Sequence, residues 1–439
     1  MEIASTDTHE HQTPKKEDSE REQNRNFRIA ALQGSLMQVS FAFIDSTNIL
    51  NTFVHKLTGS DAFVGLVGAL TPAGWMWPQL LISNLLEHRP RKMPFYTLGM
   101  SIRVAAWLAI LLCTLFISPG KSRLLAGSFF CFYFIASSAM GISTIPYMDI
   151  ISKTIEPQRR ARFFSTRQFS GGIFSFFIGF LISFVLSDKS GLTFPNNYAL
   201  LFGLAVVTIA ASFVIFLAIR EPIHRVRTTR QSLWQHLKQG PYFLRTDPNY
   251  RRFIFYRVFT HFAGMCMPFY AVYAQFRLDI PDSRLGWFIS TSALSGVISN
   301  AWWGHLGEKY GTRWILVRTS ALACFVPLIA LSAPHLPGGW QVPFYFLVFA
   351  INGASMSGMM VGFMTYSLNL APSLSRPTYL GFMNTVLFPI SFVPVLGGIL
   401  VKPLGYEGVF AISLGMGILA WFMAIRLEDV IRTEEEEME

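Results

Sequence analysis

Long apolar runs separated by short polar segments dominate this chain. The runs lie at about 30–56, 61–86, 94–117, 123–150, 167–187, 198–219, 251–276, 284–306, 314–333, 341–366, 378–401 and 406–426. Most reach twenty residues or more, and at about 1.5 Å per helical residue that length crosses a hydrocarbon layer of roughly 30 Å. A soluble helical protein would instead break its apolar residues into amphipathic stripes. The pattern predicts an all-α membrane protein with twelve transmembrane helices. Residues 1–26 are polar and mixed in charge without an apolar core, so they read as a disordered cytoplasmic tail and not as a signal peptide.

The longest polar stretch, 220–250, is expected to be a central loop between two units, 27–219 and 251–427, with 428–439 as an acidic tail. Within it, SLWQHLKQ suits an interfacial helix and a solvated linker helix equally. A weak internal repeat supports duplication. ISNLLEHRPRK after the second run matches WGHLGEKYGTR after the eighth, which sets Glu87 and Glu308 221 residues apart. A proline followed by basic residues comes after both the fourth run (Pro157 to Arg162) and the tenth (Pro372 to Arg376). Two pseudo-symmetric six-helix bundles follow as the expected architecture.

Charge then sets the orientation. Only 14% of residues are charged, against about 25% in soluble domains. The net charge of +10 sits mainly in short loops, which is how topology is selected and gives no case for nucleic acid. Most of the 36 lysines and arginines fall in the two tails and the even-numbered loops, so both termini are expected in the cytoplasm. Cys113, Cys131, Cys266 and Cys324 lie inside apolar runs and form neither a disulfide framework nor a zinc spacing. His9 and His11 are read as solvated tail. No metal site or cofactor is expected.

GHLGEKYGTR, from Gly304 to Arg313, fits the pattern Gly-x-Leu-x-acid-basic-x-Gly-x-Arg of the major facilitator superfamily (MFS), and it follows the second run of its half. The first copy, Ser83 to Lys92, keeps the leucine, the acid and the basic end, with Ser83 and Pro90 in the glycine places. The chain resembles that superfamily over nearly its whole length. RRARFFSTR, Arg159 to Arg167, is similar to the fourth-to-fifth loop of an uncharacterised bacterial-type branch. The resemblance implies a non-enzymatic carrier in the inner membrane, acting as a monomer on a small-molecule substrate by alternating access. It implies that Glu87, Arg91, Gly304, Glu308, Lys309, Gly311 and Arg313 form a gate that ties the cytoplasmic ends of the halves. Subfamily signals are exclusions: the fifth run lacks the Gly-Pro pair of drug–proton antiporters. Arg220-Glu221-Pro222 replaces the sugar-porter pattern after the sixth.

Ionisable groups within spans cost about 2.5–3.5 kcal/mol at a helix centre and usually mark pathways. Asp45 is the one acidic residue near the middle of a run. Helical spacing sets Gln38, Phe41, Asp45, Asn48 and Thr52 on one face, which the resemblance turns toward a central cavity. Asp45 is therefore the leading candidate for proton coupling, with a permanent ion pair to Arg103 as the structural alternative. Arg103 is also placed to reach Glu87 or Asp149. Arg257 and His261 share a face of the seventh span, and His261 is a second proton-handling candidate. Asn352 adds a hydrogen-bonding group to the tenth. A proton-coupled transporter of a small organic solute is the expected function. A translocator of lipid or cell-wall precursors, or a sensor that binds without transport, fits the same fold. No HExxH and no nucleophile–base pair argues for an enzyme.

Overall fold

The computed structural model describes residues 13–87, 89–117, 119–155, 157–222, 242–370 and 376–430. Its helices are α1 (Thr13–Phe43), α2 (Ile49–Thr58), α3 (Asp61–Glu87), α4 (Met93–Phe116), α5 (Ser122–Thr154), α6 (Pro157–Val185) and α7 (Asn196–Leu217). They continue as α8 (Pro248–Ala263), α9 (Tyr270–Arg277), α10 (Arg284–Tyr310), α11 (Thr312–Ser332), α12 (Gly338–Leu370), α13 (Arg376–Ile390) and α14 (Val393–Ile425). No strand occurs among the described residues, and seven helical segments are long and apolar enough to cross a membrane. The fold is that of a multi-pass membrane protein.

Two elements differ from the expected pattern. α1 begins at Thr13, inside the stretch read as a disordered tail. Lys, Glu, Gln and Arg dominate residues 15–25 and are good helix formers, so the apolar helix extends backwards through them. α14 is two helices joined at Gly405, whose φ of 71° is a left-handed conformation that only glycine adopts at little cost. The SLWQHLKQ segment, the Pro372 loop and the acidic run after Val430 lie outside the described residues.

Packing repeats along the chain. In the first half α4 packs on α5 and α7, α5 on α3, and α1 on α7. In the second, α11 packs on α12 and α14, α12 on α10, and α8 on α14. The start and end of each half meet: Arg25 donates to the Ala218 carbonyl at 2.7 Å, and the Glu428 amide donates to Asn249 Oδ1 at 3.1 Å. Across the halves α6 and α10 run antiparallel, with Ser183 donating to the Ser283 carbonyl and Ser290 to the Phe176 carbonyl at 2.7 Å. Gly179 and Gly286 face each other's backbone in that crossing, where a Cβ on either would strike the partner helix. It follows that both chain ends emerge at one face of the bundle, called here the terminal face.

One apolar core runs through the first half and into the far side of the second. A separate cluster around Tyr250, Tyr256, Tyr366 and Tyr379 fills the terminal side of the second half alone. At the terminal face of the first half, Glu221 is almost fully buried. Its carboxylate accepts the backbone N–H of Lys92 (2.8 Å) and of Met93 (2.9 Å) and pairs with Lys153 at 3.4 Å. Those amides open α4, where an anion satisfies orphan donors and complements the helix dipole. Glu221→Ala should therefore destabilise the protein by about 1–3 kcal/mol, read as a lower thermal unfolding temperature in detergent.

Candidate functional site

The first helix of each half is broken partway along its length. α1 stops at Phe43 and α2 starts at Ile49, with Asp45 in the gap. Asp45 Oδ1 accepts the backbone N–H of Thr47 (3.1 Å), that of Asn48 (2.6 Å) and the Asn48 side-chain amide (2.8 Å). This is a local Asx-type turn, the conformation in which a short carboxylate competes best with helix. In the second half α8 ends at Ala263, and a 3-10 segment (Gly264–Phe269) leads into α9. Pro268 has no N–H to donate and clashes with the carbonyl one turn back, so the α-helix cannot run through it. Cys266, in this second break, lies 221 residues after Asp45, the same offset as Glu87 and Glu308.

The two breaks touch. Asn51, fully buried on α2, donates from Nδ2 to the Pro268 carbonyl at 3.0 Å and to the Thr47 carbonyl at 3.1 Å. It thereby satisfies an acceptor left open by each break. Beyond this point, toward the far face, the halves are tied repeatedly. Lys56 pairs with Asp282, which also accepts from Gln275 at 3.0 Å. Tyr406 donates to Asp61 at 2.5 Å, and the His55 ring packs at a tilt against Phe276 with centroids 4.2 Å apart. Among the described residues no hydrogen bond, ion pair or ring contact joins the halves at the terminal face. A cavity of about 50 Å³ lies between α8, α11, α12 and α14, lined by Thr260, Met267, Cys324, Asn352, Ser355 and Met359 among others.

The residues expected from the sequence are distributed as follows. The stripe from Gln38 to Thr52 does not exist as one helical face, because the break at Asp45 turns the chain. Gln38 donates to Gln168 of α6 at 2.9 Å, Asn48 is buried beside Asp45, and Asn352 lines the cavity. The Asp45–Arg103 pair is absent, since amide donors two and three residues away occupy the carboxylate. Arg103 does not reach Asp149 either: that carboxylate pairs with Lys153 at 2.6 Å. Arg103 lies against Met37 Sδ at 3.5 Å and over the Phe41 ring at 5.1 Å. Among the described residues Arg257 likewise forms no ion pair, and it sits over Phe363 at 3.8 Å, while its carbonyl meets His261 Nδ1 at 2.9 Å.

In the gate motif, the side chains of Glu87 and Glu308 lie outside the described set, and Arg91 and Gly304 are exposed. Lys309 stands over Tyr310, and Gly311 ends α10 with φ at 83°. Arg313 donates to Asp429 (3.0 Å) and to the Ile425 carbonyl (2.8 Å), both in its own half. Sequence reasoning missed Asn51 and the far-side set Lys56, Asp61, Asp282 and Tyr406. Only their position at the ends of apolar runs hinted at them.

Comparison with known proteins decides the family. The model of the Major Facilitator Superfamily matches residues 31–388 and 254–437. The chain belongs to that superfamily. Its fold is therefore that of membrane transporters and not of enzymes. A mutant of the nucleoside transporter NupG superposes with a TM-score of 0.73 at 12% identity, covering 92% of this chain and 99% of that one. A D-xylose–proton symporter gives 0.68 at 15% identity over 92% and 98%. A bacterial homologue of the iron transporter ferroportin, 14% identical, gives 0.67 in its inward-facing state (93% and 98% covered) and 0.61 in its outward-facing state (92% and 99%). No curated protein matches the chain in sequence.

Because Asn51 is the one described hydrogen bond between the two breaks, Asn51→Leu should strand two buried carbonyls. The expected loss is about 1–2 kcal/mol, seen as reduced thermal stability in detergent with the helix content of the remaining fold retained.

Proposed function

We propose that this protein is a secondary transporter that moves a small organic solute across the cytoplasmic membrane by alternating access, coupled to protons. In this reading it is a monomer with twelve spans and both termini in the cytoplasm. α1 with α2 makes the first span, α8 with α9 the seventh, α13 with the start of α14 the eleventh, and the rest of α14 the twelfth. The observation that carries the reading is the one-sided tying of the halves, from the contact between the breaks outward to the far face. With the termini inside, this is an inward-facing conformation. The higher TM-score to the inward-facing ferroportin homologue supports that assignment. Glu87, Arg91, Glu308, Lys309 and Arg313, on the terminal face, would engage across the halves when the far side opens.

Asp45 is the proposed coupling group. One of its oxygens holds the turn, whereas Oδ2 has no hydrogen-bond partner among the described residues and is the oxygen proposed to take up a proton. That division makes the test clean. Asp45→Asn keeps an oxygen acceptor for the turn but removes the titratable carboxylate. In liposomes the Asn variant should lose accumulation driven by a pH gradient while keeping downhill exchange of the same solute. Asp45→Leu should lose both. Normal gradient-driven accumulation by the Asn variant would sink the coupling assignment.

A further inference from the structure

Three arginines lie deep in the helices without an anionic partner. Arg103, Arg167 and Arg257 each come nine or ten residues after the start of α4, α6 and α8, and all three helices start at the terminal face. At about 1.5 Å per residue this places them roughly 14–15 Å in, at nearly equal depth. Among the described residues none of them forms an ion pair. Asp45 is engaged by the turn amides and Asp149 by Lys153. A cation held at that depth is costly, and the cost persists only where something offsets it.

Arg103 is closed in by Met37, Phe41 and its own bundle, with 4% of its surface exposed. Arg167 and Arg257 are different. Each is half-buried, and each rests on an aromatic ring of the fourth span of its own half. Arg167 lies over Tyr147 of α5 at 5.4 Å, and Arg257 over Phe363 of α12 at 3.8 Å. In both, Nε is buried without a hydrogen-bond partner. Arg167 keeps one bond, to the Tyr147 hydroxyl at 3.3 Å. Arg257, Thr260, His261 and Gly264 follow helical spacing along one side of α8, and Thr260 and Gly264 line the cavity. On α12, Met359 lines it one turn from Phe363. The Arg257–Phe363 pair therefore lies about one helical turn beyond the lining of that cavity, on its terminal side.

We propose that Arg257, together with Arg167 of the first half, is the recognition cation for an anionic organic solute bearing a carboxylate or phosphate. A guanidinium packed over a ring keeps N–H groups that can take such an anion bidentately. The charges also supply a reason to move. Unpaired guanidinium charge in both halves disfavours bringing them together, and a bound anion offsets that charge. This assignment rests on the transporter reading and names its substrate class.

The test uses the full chain in phosphatidylcholine nanodiscs with matched probes: benzoate against benzamide, and glycerol 3-phosphate against glycerol, with citrate and inorganic phosphate added. At least one anion should raise the unfolding temperature and bind saturably while its neutral partner does neither. Arg257→Gln should weaken that binding by at least about tenfold, and Arg257→Lys by less. Arg167→Gln gives a second measure should the first variant fold poorly. Equal binding of neutral and anionic partners, unchanged binding in both Gln variants, or no effect of any anion would overturn the proposal. Stabilisation by phosphatidylglycerol added to the disc, and by no soluble anion, would overturn it in favour of a lipid headgroup. Liposome flux separates this from the broader reading. A carried neutral solute leaves the transporter intact and removes the anion site, whereas anion binding without flux does the reverse.

Discussion

A helix that stops in the middle of a membrane leaves backbone N–H and C=O groups with no water to meet them, and each such group must find a partner inside the protein. This constraint shapes the centre of the present fold. The first helix of each half stops partway along its length, and the open groups are met by only a few side chains. Asp45 takes the amides that begin α2, and Asn51 takes a carbonyl from each break. Irregular backbone inside a membrane is tolerated only where protein or a cavity surrounds it, and here each break is covered by the other half.

Placing both breaks in contact has a mechanical consequence. The halves are joined at the point where each is least regular, and among the described residues the polar ties extend from there toward the far face. Glycines at the α6–α10 crossing permit backbone-to-backbone approach, which suits small rotations better than interlocked large side chains do. The terminal side of the second half keeps an apolar core of its own, so that end can separate without exposing the core of the first. Two bodies pivoting about a satisfied polar contact give a physical basis for alternating access on this fold.

Much of this was legible in the sequence. The apolar runs gave the helices, the Glu87–Glu308 offset gave the duplication, and GHLGEKYGTR pointed to the superfamily that the comparisons then showed. Pro268 was visible as a kink, and Asp45 as the exceptional intramembrane acid. What helical periodicity could not supply was the break itself. A run of apolar residues looks continuous whether or not a carboxylate turns the backbone, so Asp45 was assigned to a smooth face and offered Arg103 as a partner. The turn amides are nearer than any side chain from another helix, and proximity along the chain won. Arg167 shows the converse failure. It ends a basic stretch that reads as loop, yet α6 starts ten residues earlier and carries it into the bundle. The polar start of α1 differs from the expected tail for a related reason: a segment without apolar residues can still be helical, and residues 15–25 are rich in strong helix formers.

Rocking of two halves about the contact between the breaks is tested most directly by paired distance measurements. Spin labels would be placed at Arg162 and Lys309 on the terminal side and at Lys189 and Trp340 on the far side, after replacement of the four cysteines, in nanodiscs between acidic and alkaline pH. Two populations should appear in each pair, with the terminal distance shortening as the far distance lengthens. A single, unchanging distance in both pairs, or changes of the same sign at the two faces, would contradict the pivot.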